Sequence, residues 1–135
     1  MANGLYDFGR EGFLAGDIDW DGDNIKIMLI DEADDVPDLA LDQDLADRAA
    51  PARVATSGNL ASKTTTDGVA DAADITFSTV TGDDAESIDI YQDSGVEATS
   101  RLIANIDTAT NLPVTPNGGD ITVQWDSGAD KIFKL

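Results

Sequence analysis

The sequence contains neither cysteine nor histidine. Without thiols, the chain can form no disulfide bond and no thiolate metal site. Without imidazole, it lacks the Ser-His-Asp and Cys-His nucleophiles, the usual zinc ligands and the commonest proton-transfer group near neutral pH. An enzyme of this composition would depend on carboxylates, lysine or tyrosine. We therefore expect a protein that is not an enzyme and that uses no cofactor.

Basic side chains are also scarce, with 8 Lys and Arg against 27 Asp and Glu and a net charge of −19. A field of that sign repels phosphate backbones and anionic lipid surfaces, so we expect neither nucleic acid nor membrane as a partner. No apolar run approaches the roughly 18–20 residues of a membrane helix. The first residues also lack the basic and apolar segments of a secretory signal. We expect a soluble, unprocessed chain.

The kind of acid present favours a β-rich fold. Only four of the acidic residues are glutamates; aspartate favours turns, whereas glutamate favours helices. A length of 135 residues with 41% apolar side chains suits one globular domain spanning residues 1–135.

About eight short strands are predicted, separated by Gly- and Asp-rich turns. Residues 25–31, IKIMLID, are apolar on both faces, which predicts a strand inside the sheet. In residues 86–93, Ile88 and Ile90 are expected to face inward and Asp89 and Tyr91 outward. The other predicted strands are DIDW, ARVATSG, DITFSTV, SRLIANID, DITVQWD and KIFKL. This spacing predicts one antiparallel β-sandwich, jelly-roll-like or barrel domain.

Two segments depart from the strand pattern. Apolar residues at roughly helical intervals in residues 5–16, ending at Gly16, predict a short N-terminal helix. Residues 32–51, EADDVPDLALDQDLADRAAP, are acidic and irregular. We interpret them as a surface connection that includes one or two helical turns, with Asp42 as the cap.

The stretch GDIDWDGDNIKIMLID raises the question of a calcium site. Asp17, Asp19, Asp21 and Asp23 resemble the start of a calcium loop, because hard cations take several oxygen ligands around a glycine bend. The twelfth position is Met28, where such a loop needs a bidentate glutamate. We favour an acidic turn between two extended segments, and weak calcium binding is the alternative.

Other candidate sites have weaker support in the sequence. Neighbouring acids such as Asp34 and Asp35 could serve a glycosidase, but a chain with 27 acids contains such pairs by chance. Trp20 and Trp125 could stack on a sugar, yet both occupy inward positions, which favours core packing. The arginines are expected to be salt-bridge partners.

The same stretch resembles a family of small structural proteins of tailed bacteriophages. The shared features are a short helix, Gly-x-Ile-Asp-Trp, a polar turn and Ile-Lys-Ile-x-Leu. The resemblance continues through TTTDGVADAADITFSTVTGDDAESIDIYQDSG, SRLIANIDT and VTPNGGDITVQWDSGADKIFKL. It implies a virion protein, with capsid decoration, or cementing, as the expected role, and carries over no catalytic residue.

The resemblance implies a place on the phage head surface after synthesis in the host cytoplasm. The expected partners are the major capsid protein and further copies of the chain, a trimer being favoured because it suits capsid three-fold positions. The acidic surface is expected to face solvent, leaving the N-terminal segment and residues 108–119 for contact. The contact candidates are Leu5, Tyr6, Phe8, Arg10, Phe13, Pro113, Pro116 and Asn117. A tail or head–tail junction protein and a calcium- or glycan-binding adhesion module are the alternatives.

Overall fold

A computed structural model describes residues 3–135. Its regular elements are, in chain order, β1 (Gly4–Leu5), α1 (Asp7–Ala15), β2 (Ile25–Ile30), β3 (Arg53–Thr56), β4 (Val69–Ala70), β5 (Ile75–Phe77), β6 (Ser87–Gln92), β7 (Leu102–Ile106), β8 (Ile121–Val123) and β9 (Phe133–Lys134). The predicted β-rich composition with one short N-terminal helix is confirmed.

A five-stranded antiparallel sheet forms the centre of the molecule, in the order β1-β7-β6-β2-β3. Strands β4 and β9 form one separate antiparallel pair, and β5 and β8 form another. Strands β1 and β3 remain the edges of the large sheet, so the described chain does not close into a barrel. The antiparallel prediction is correct, and the predicted position of β2 inside the sheet is confirmed.

One face of the large sheet carries the main hydrophobic core. Ile25, Ile27 and Leu29 of β2 meet Ile88 and Ile90 of β6 there, in the inward phase predicted for them. The same core buries side chains from both short strand pairs and from the segment before β2. These include Ile18, Trp20, Ala70 and Phe77, with Ile121, Val123 and Phe133 partly buried against them. Residues 17–20 are not a strand, although Ile18 and Trp20 point inward as predicted.

The opposite face of the sheet is buried as well, which corrects one prediction. Asp89 and Tyr91 were expected to face solvent, but they are 0% and 3% exposed. The reason is that the acidic segment 32–51 folds across this face and contributes Leu45 to a second apolar cluster. The remaining members of that cluster are Tyr6, Met28, Ile30, Ala52, Tyr91 and Leu102.

The acidic segment is therefore a covering layer, although most of its side chains are exposed. It contains a 3₁₀ turn at Leu45–Asp47, and a second 3₁₀ turn follows at Ala50–Ala52. Asp44 caps the first turn by accepting from Ala46 N, so the predicted cap at Asp42 is wrong. Asp42 instead accepts hydrogen bonds from Asp38 N and from Arg48.

Helix α1 packs against β7 at very short range. A Cβ on Gly9 would lie 2.7 Å from Ile103 O and 2.8 Å from Leu102 O, so only glycine allows this approach. Gly16 ends the helix at a φ of +78°, as its position predicted. Among the described residues, no helix has the length and apolar character needed to cross a membrane.

Candidate functional site

An ion network with a fully buried centre fixes the acidic segment onto the sheet. Arg48 Nε donates to Asp89 Oδ2 at 2.9 Å, and both side chains are 0% exposed. Arg48 Nη2 donates to Asp42 Oδ2 at 2.9 Å and to Tyr6 Oη at 3.1 Å. Arg48 Nη1 lies 3.1 Å from Asp35 Oδ2, without hydrogen-bond geometry. One guanidinium thus joins the helix start, strand β6 and two acids of the covering segment.

Asp89 receives three donors, which allow its carboxylate to remain buried. Tyr6 Oη donates to Oδ1 at 2.5 Å and Asn105 Nδ2 donates to the same oxygen at 2.9 Å. Burial raises the pKa of Asp89 above its ordinary 3.8, against the lowering influence of Arg48 and the hydrogen bonds. Burial also raises the pKa of the Tyr6 phenol, so this hydroxyl stays protonated. The network is a structural clamp closed to solvent.

The Asp-rich turn uses two of its four carboxylates to hold its own backbone. Asp19 Oδ1 accepts from Asp21 N at 3.2 Å and from Gly22 N at 3.1 Å. Asp23 Oδ2 accepts from Asp19 N at 2.8 Å and from Gln92 Nε2 at 2.6 Å. Asp17 and Asp21 are exposed. The structure brings these residues together as the predicted acidic turn.

A different set of acids lies closer together. Carboxylate oxygens of Asp31, Asp34 and Asp83 lie within 4.8 Å of one another, the only such group found among residues 3–135. Asp31 is buried, and its Oδ1 accepts from Ala33 N at 2.9 Å. The other two are exposed. The four candidate calcium ligands, Asp17 to Asp23, do not form such a group.

An apolar cleft of about 380 Å³ lies between the end of α1 and the last strand. Its walls include Phe13, Ile18, Trp20, Val69, Phe133 and Leu135. Trp20 and Phe133 pack edge to face with ring centroids 5.3 Å apart, which makes the floor rigid. Leu135 is 61% exposed, and Leu14, between the lining residues Phe13 and Gly16 in the chain, is 91% exposed.

A larger and more polar cleft of about 960 Å³ lies beside β1, on the other side of Phe133. One wall comes from residues 3–5, 104–106 and 108–111 and the other from residues 122–127 and 131–134. Asn3 joins two parts of the first wall, because its Oδ1 accepts from Asp107 N at 2.8 Å and Thr108 N at 2.9 Å. Trp125, Gln124 and Lys131 belong to the second wall.

The predicted contact residues are divided among these places. Leu5 and Tyr6 are 9% and 0% exposed, so they are core residues and do not reach a partner surface in this structure. Phe8 is half-buried on α1. Arg10 lines the polar cleft, and Phe13 lines the apolar one. Pro113 and Asn117 are exposed and Pro116 is half-buried, and none of the three lines either cleft, although residues 108–111 of the same loop line the polar one.

Sequence reasoning named Arg10 and Phe13 but missed other residues that line the clefts, among them Leu135 and Gln124. To find these from sequence, one would have to know which surfaces near α1 and the last strand stay uncovered. The expectation that the arginines form salt bridges is confirmed for Arg48, Arg10 with Asp7, and Arg53 with Glu97. Arg101 instead donates to the Phe8 carbonyl at 3.0 Å.

No protein-family model matches this sequence, and no curated protein matches it either. The support for a function therefore comes from the resemblance of the sequence stretches described above and from the geometry of the two clefts.

Proposed function

We propose that this chain is a non-catalytic phage capsid decoration protein that binds the outer surface of the head through the apolar cleft. The observation that carries the proposal is the exposure of Leu135, 61%, on the wall of that cleft, in a chain of net charge −19. Leu14, next to the lining residue Phe13 in the chain, is 91% exposed. Exposed leucines beside a rigid apolar cleft are typical of a protein-binding surface. The resemblance to phage structural proteins supports the major capsid protein as the partner.

The two leucines would supply a useful share of the binding energy. Covering an exposed leucine contributes about 1.5–3 kcal/mol, and the aromatic floor needs no rearrangement to receive an apolar side chain. Loss of one such contact corresponds to roughly a tenfold or greater loss of affinity. The acidic remainder of the surface would face solvent and discourage edge-to-edge association of free copies.

A non-catalytic role is supported by where the perturbed titratable groups lie. The buried network contains Tyr6, Arg48 and Asp89 as partners of one another. Tyr91 is buried in the second apolar cluster. Asp93 and Glu97 have lowered pKa values because they accept hydrogen bonds from Lys26 and Arg53. Active sites usually place such groups in an open cleft, and each of these has a structural partner instead.

The rest of the proposal concerns assembly and architecture. A homotrimer bound at a three-fold position of the head would have the same three-fold symmetry as the capsid at that position. The two short strand pairs, which pack on one face of the large sheet, would constitute the second layer of a jelly-roll-like sandwich.

The test is to locate the protein on intact particles by electron microscopy. Density for the chain is expected on the outer head surface. It should contact the major capsid protein through the end of α1 and through Leu135. Density in a tail or at the head–tail junction would replace the proposal with the alternative structural role. Particles that lack the chain altogether would overturn both.

A further inference from the structure

The polar cleft has the size of a ligand site and a lining unlike the rest of the surface. Its volume of about 960 Å³ lies near the top of the usual range for small-ligand sites, about 300–1,000 Å³. Asp126 is the single acid among the residues that line it, in a chain with 27 acids. A cleft with so few carboxylates does not repel a ligand that bears a carboxylate of its own.

Uncharged polar groups are available in this cleft. The side chains of Asn111, Gln124 and Ser127 line it and make no hydrogen bond to the described residues 3–135. Amides can donate and accept at once, and a serine hydroxyl can do the same. A sugar hydroxyl needs this combination, because it too donates and accepts.

An aromatic ring is held in the same wall. Trp125 is half-buried, and its indole Nε1 donates to Ala73 O at 3.2 Å. Its backbone N donates to Asp74 Oδ1 at 3.0 Å, and this hydrogen bond fixes the backbone that carries the ring. The ring is thus positioned before any ligand arrives, and the cost of ordering it on binding is small. Trp20, the other tryptophan, is 4% exposed and unavailable.

Three of the chain's eight basic residues, Arg10, Lys131 and Lys134, line the cleft. Arg10 pairs with Asp7 at 3.0 Å and Lys131 with Asp71 at 3.1 Å, and in both pairs the basic side chain is about half exposed. Lys134 has no ion-pair partner among residues 3–135. Arg10 and Lys131 balance nearby acids and Lys134 is left for an anionic group, so a neutral ligand and a carboxylate-bearing one can both approach.

We infer that this cleft binds an oligosaccharide, with Trp125 as the stacking surface and the free amides of Asn111 and Gln124 as hydrogen-bonding partners. The pyranose ring offers an apolar face for the indole and a rim of hydroxyls for the amides, and this lining matches both. Nucleic acid is disfavoured by the net charge, and a purely apolar ligand would leave the polar wall unsatisfied. The inference holds whether or not the chain decorates a capsid.

The test is titration of the purified chain by NMR with soluble hexasaccharides. A panel of cello-, xylo-, malto- and chitohexaose gives the neutral arm, and hexagalacturonate gives the acidic arm. Binding by at least one sugar is expected, with amide shifts confined to residues 104–111 and 122–134. Gln124→Ala and Trp125→Phe should each weaken it about tenfold. Lys134→Gln should weaken only the acidic sugar.

The matched control is Gln43→Ala, an exposed glutamine on the acidic segment that lines neither cleft. It should bind sugar as the unmodified chain does. Gln124 is exposed, so Gln124→Ala tests the cleft without disturbing the core, even if Trp125→Phe is unstable. The inference is overturned if the whole panel fails to bind, or if Gln124→Ala leaves the affinity of every bound sugar unchanged.

Discussion

Arg48 and Asp89 lie 41 residues apart in the sequence and form a hydrogen-bonded ion pair at 2.9 Å, with both side chains fully buried. The pair links the acidic covering segment to the centre of the five-stranded sheet. It explains how a segment of seven acids, Glu32 to Asp47, can cover an apolar face. Arg48 inserts toward Asp89, and Asp35 and Asp42 of the segment turn toward the same guanidinium.

Replacement of Arg48 by Met should destabilise the fold by about 3–5 kcal/mol, because Asp89 would be left as a buried charge without its counter-ion. The free energy of unfolding in urea at pH 7 measures this. The double variant Arg48→Met/Asp89→Leu should regain part of the loss, because it removes both charges. The control Arg10→Met removes an exposed pair and should cost less than about 1 kcal/mol. A small loss for Arg48→Met would show that the clamp contributes little.

Gly9→Ala should destabilise the fold by about 1–3 kcal/mol. The new Cβ would meet the backbone oxygens of Ile103 and Leu102 at 2.7 and 2.8 Å, and backbone cannot move aside cheaply. At Gly12 the nearest atom is Ile18 Cδ1 at 2.6 Å, the end of a side chain that can rotate. Gly12→Ala should therefore cost less than Gly9→Ala in thermal unfolding. The reverse order would contradict the close packing of α1 on β7.

Asp93 should contribute stability only above the pH at which its carboxyl titrates. Hydrogen bonds from Lys26 and from Gly95 N lower the pKa of Asp93 below its ordinary 3.8. Because the folded-state pKa is the lower one, this stabilisation is complete above 3.8 and disappears as the pH falls through the folded value. Asp93→Asn should lose about 0.5–1 kcal/mol at pH 7.

The difference between Asp93→Asn and the unmodified chain should shrink in urea unfolding as the pH is lowered below 3.8. Asp130→Asn is the control, because Asp130 is exposed and has no ion-pair partner within residues 3–135. At pH 7 it should change the free energy of unfolding by less than about 0.5 kcal/mol. A difference for Asp93→Asn that stays constant with pH would contradict the Lys26 contact.

Calcium should change the melting temperature by less than about 1 °C. Asp19 and Asp23 already accept backbone hydrogen bonds in the acidic turn, so the four carboxylates are not arranged as free ligands. The comparison is thermal unfolding in excess calcium and in EDTA. A ligand at 100 times its dissociation constant stabilises by about 2.7 kcal/mol. A shift of that size, abolished by Asp17→Asn, would establish the calcium alternative.

Local patterns were sufficient for much of the fold. Alternation placed Ile25, Ile27 and Leu29 on one face, and apolar residues on both faces of β2 correctly predicted its place inside the sheet. Gly16 marked the helix end. These features depend on residues close in sequence, whose periodicity directly reflects strand and helix geometry.

The errors arose where distant segments meet. Asp89 resembles an outward-facing strand residue, and nothing near it in the chain indicates that Arg48 will neutralise it. The irregularity between Ile90 and Tyr91 also shifts the pairing of β7, so that Leu102 packs in the second cluster whereas Ala104 packs in the main core. The exposure of Leu14 and the existence of the polar cleft depend in the same way on which surfaces the distant segments leave uncovered.

The most direct test of the capsid proposal is a binding assay with purified heads that lack this protein. Sedimentation should show saturable binding of the unmodified chain and a loss of about tenfold or more in affinity for Leu135→Asn. Leu41→Asn is the matched control, because Leu41 is 74% exposed on the acidic segment, away from the apolar cleft that Leu135 lines. Circular dichroism should report the same fold for all three. Equal binding by Leu135→Asn and the unmodified chain would contradict the proposed docking surface, and absence of binding by the unmodified chain would contradict the proposed function.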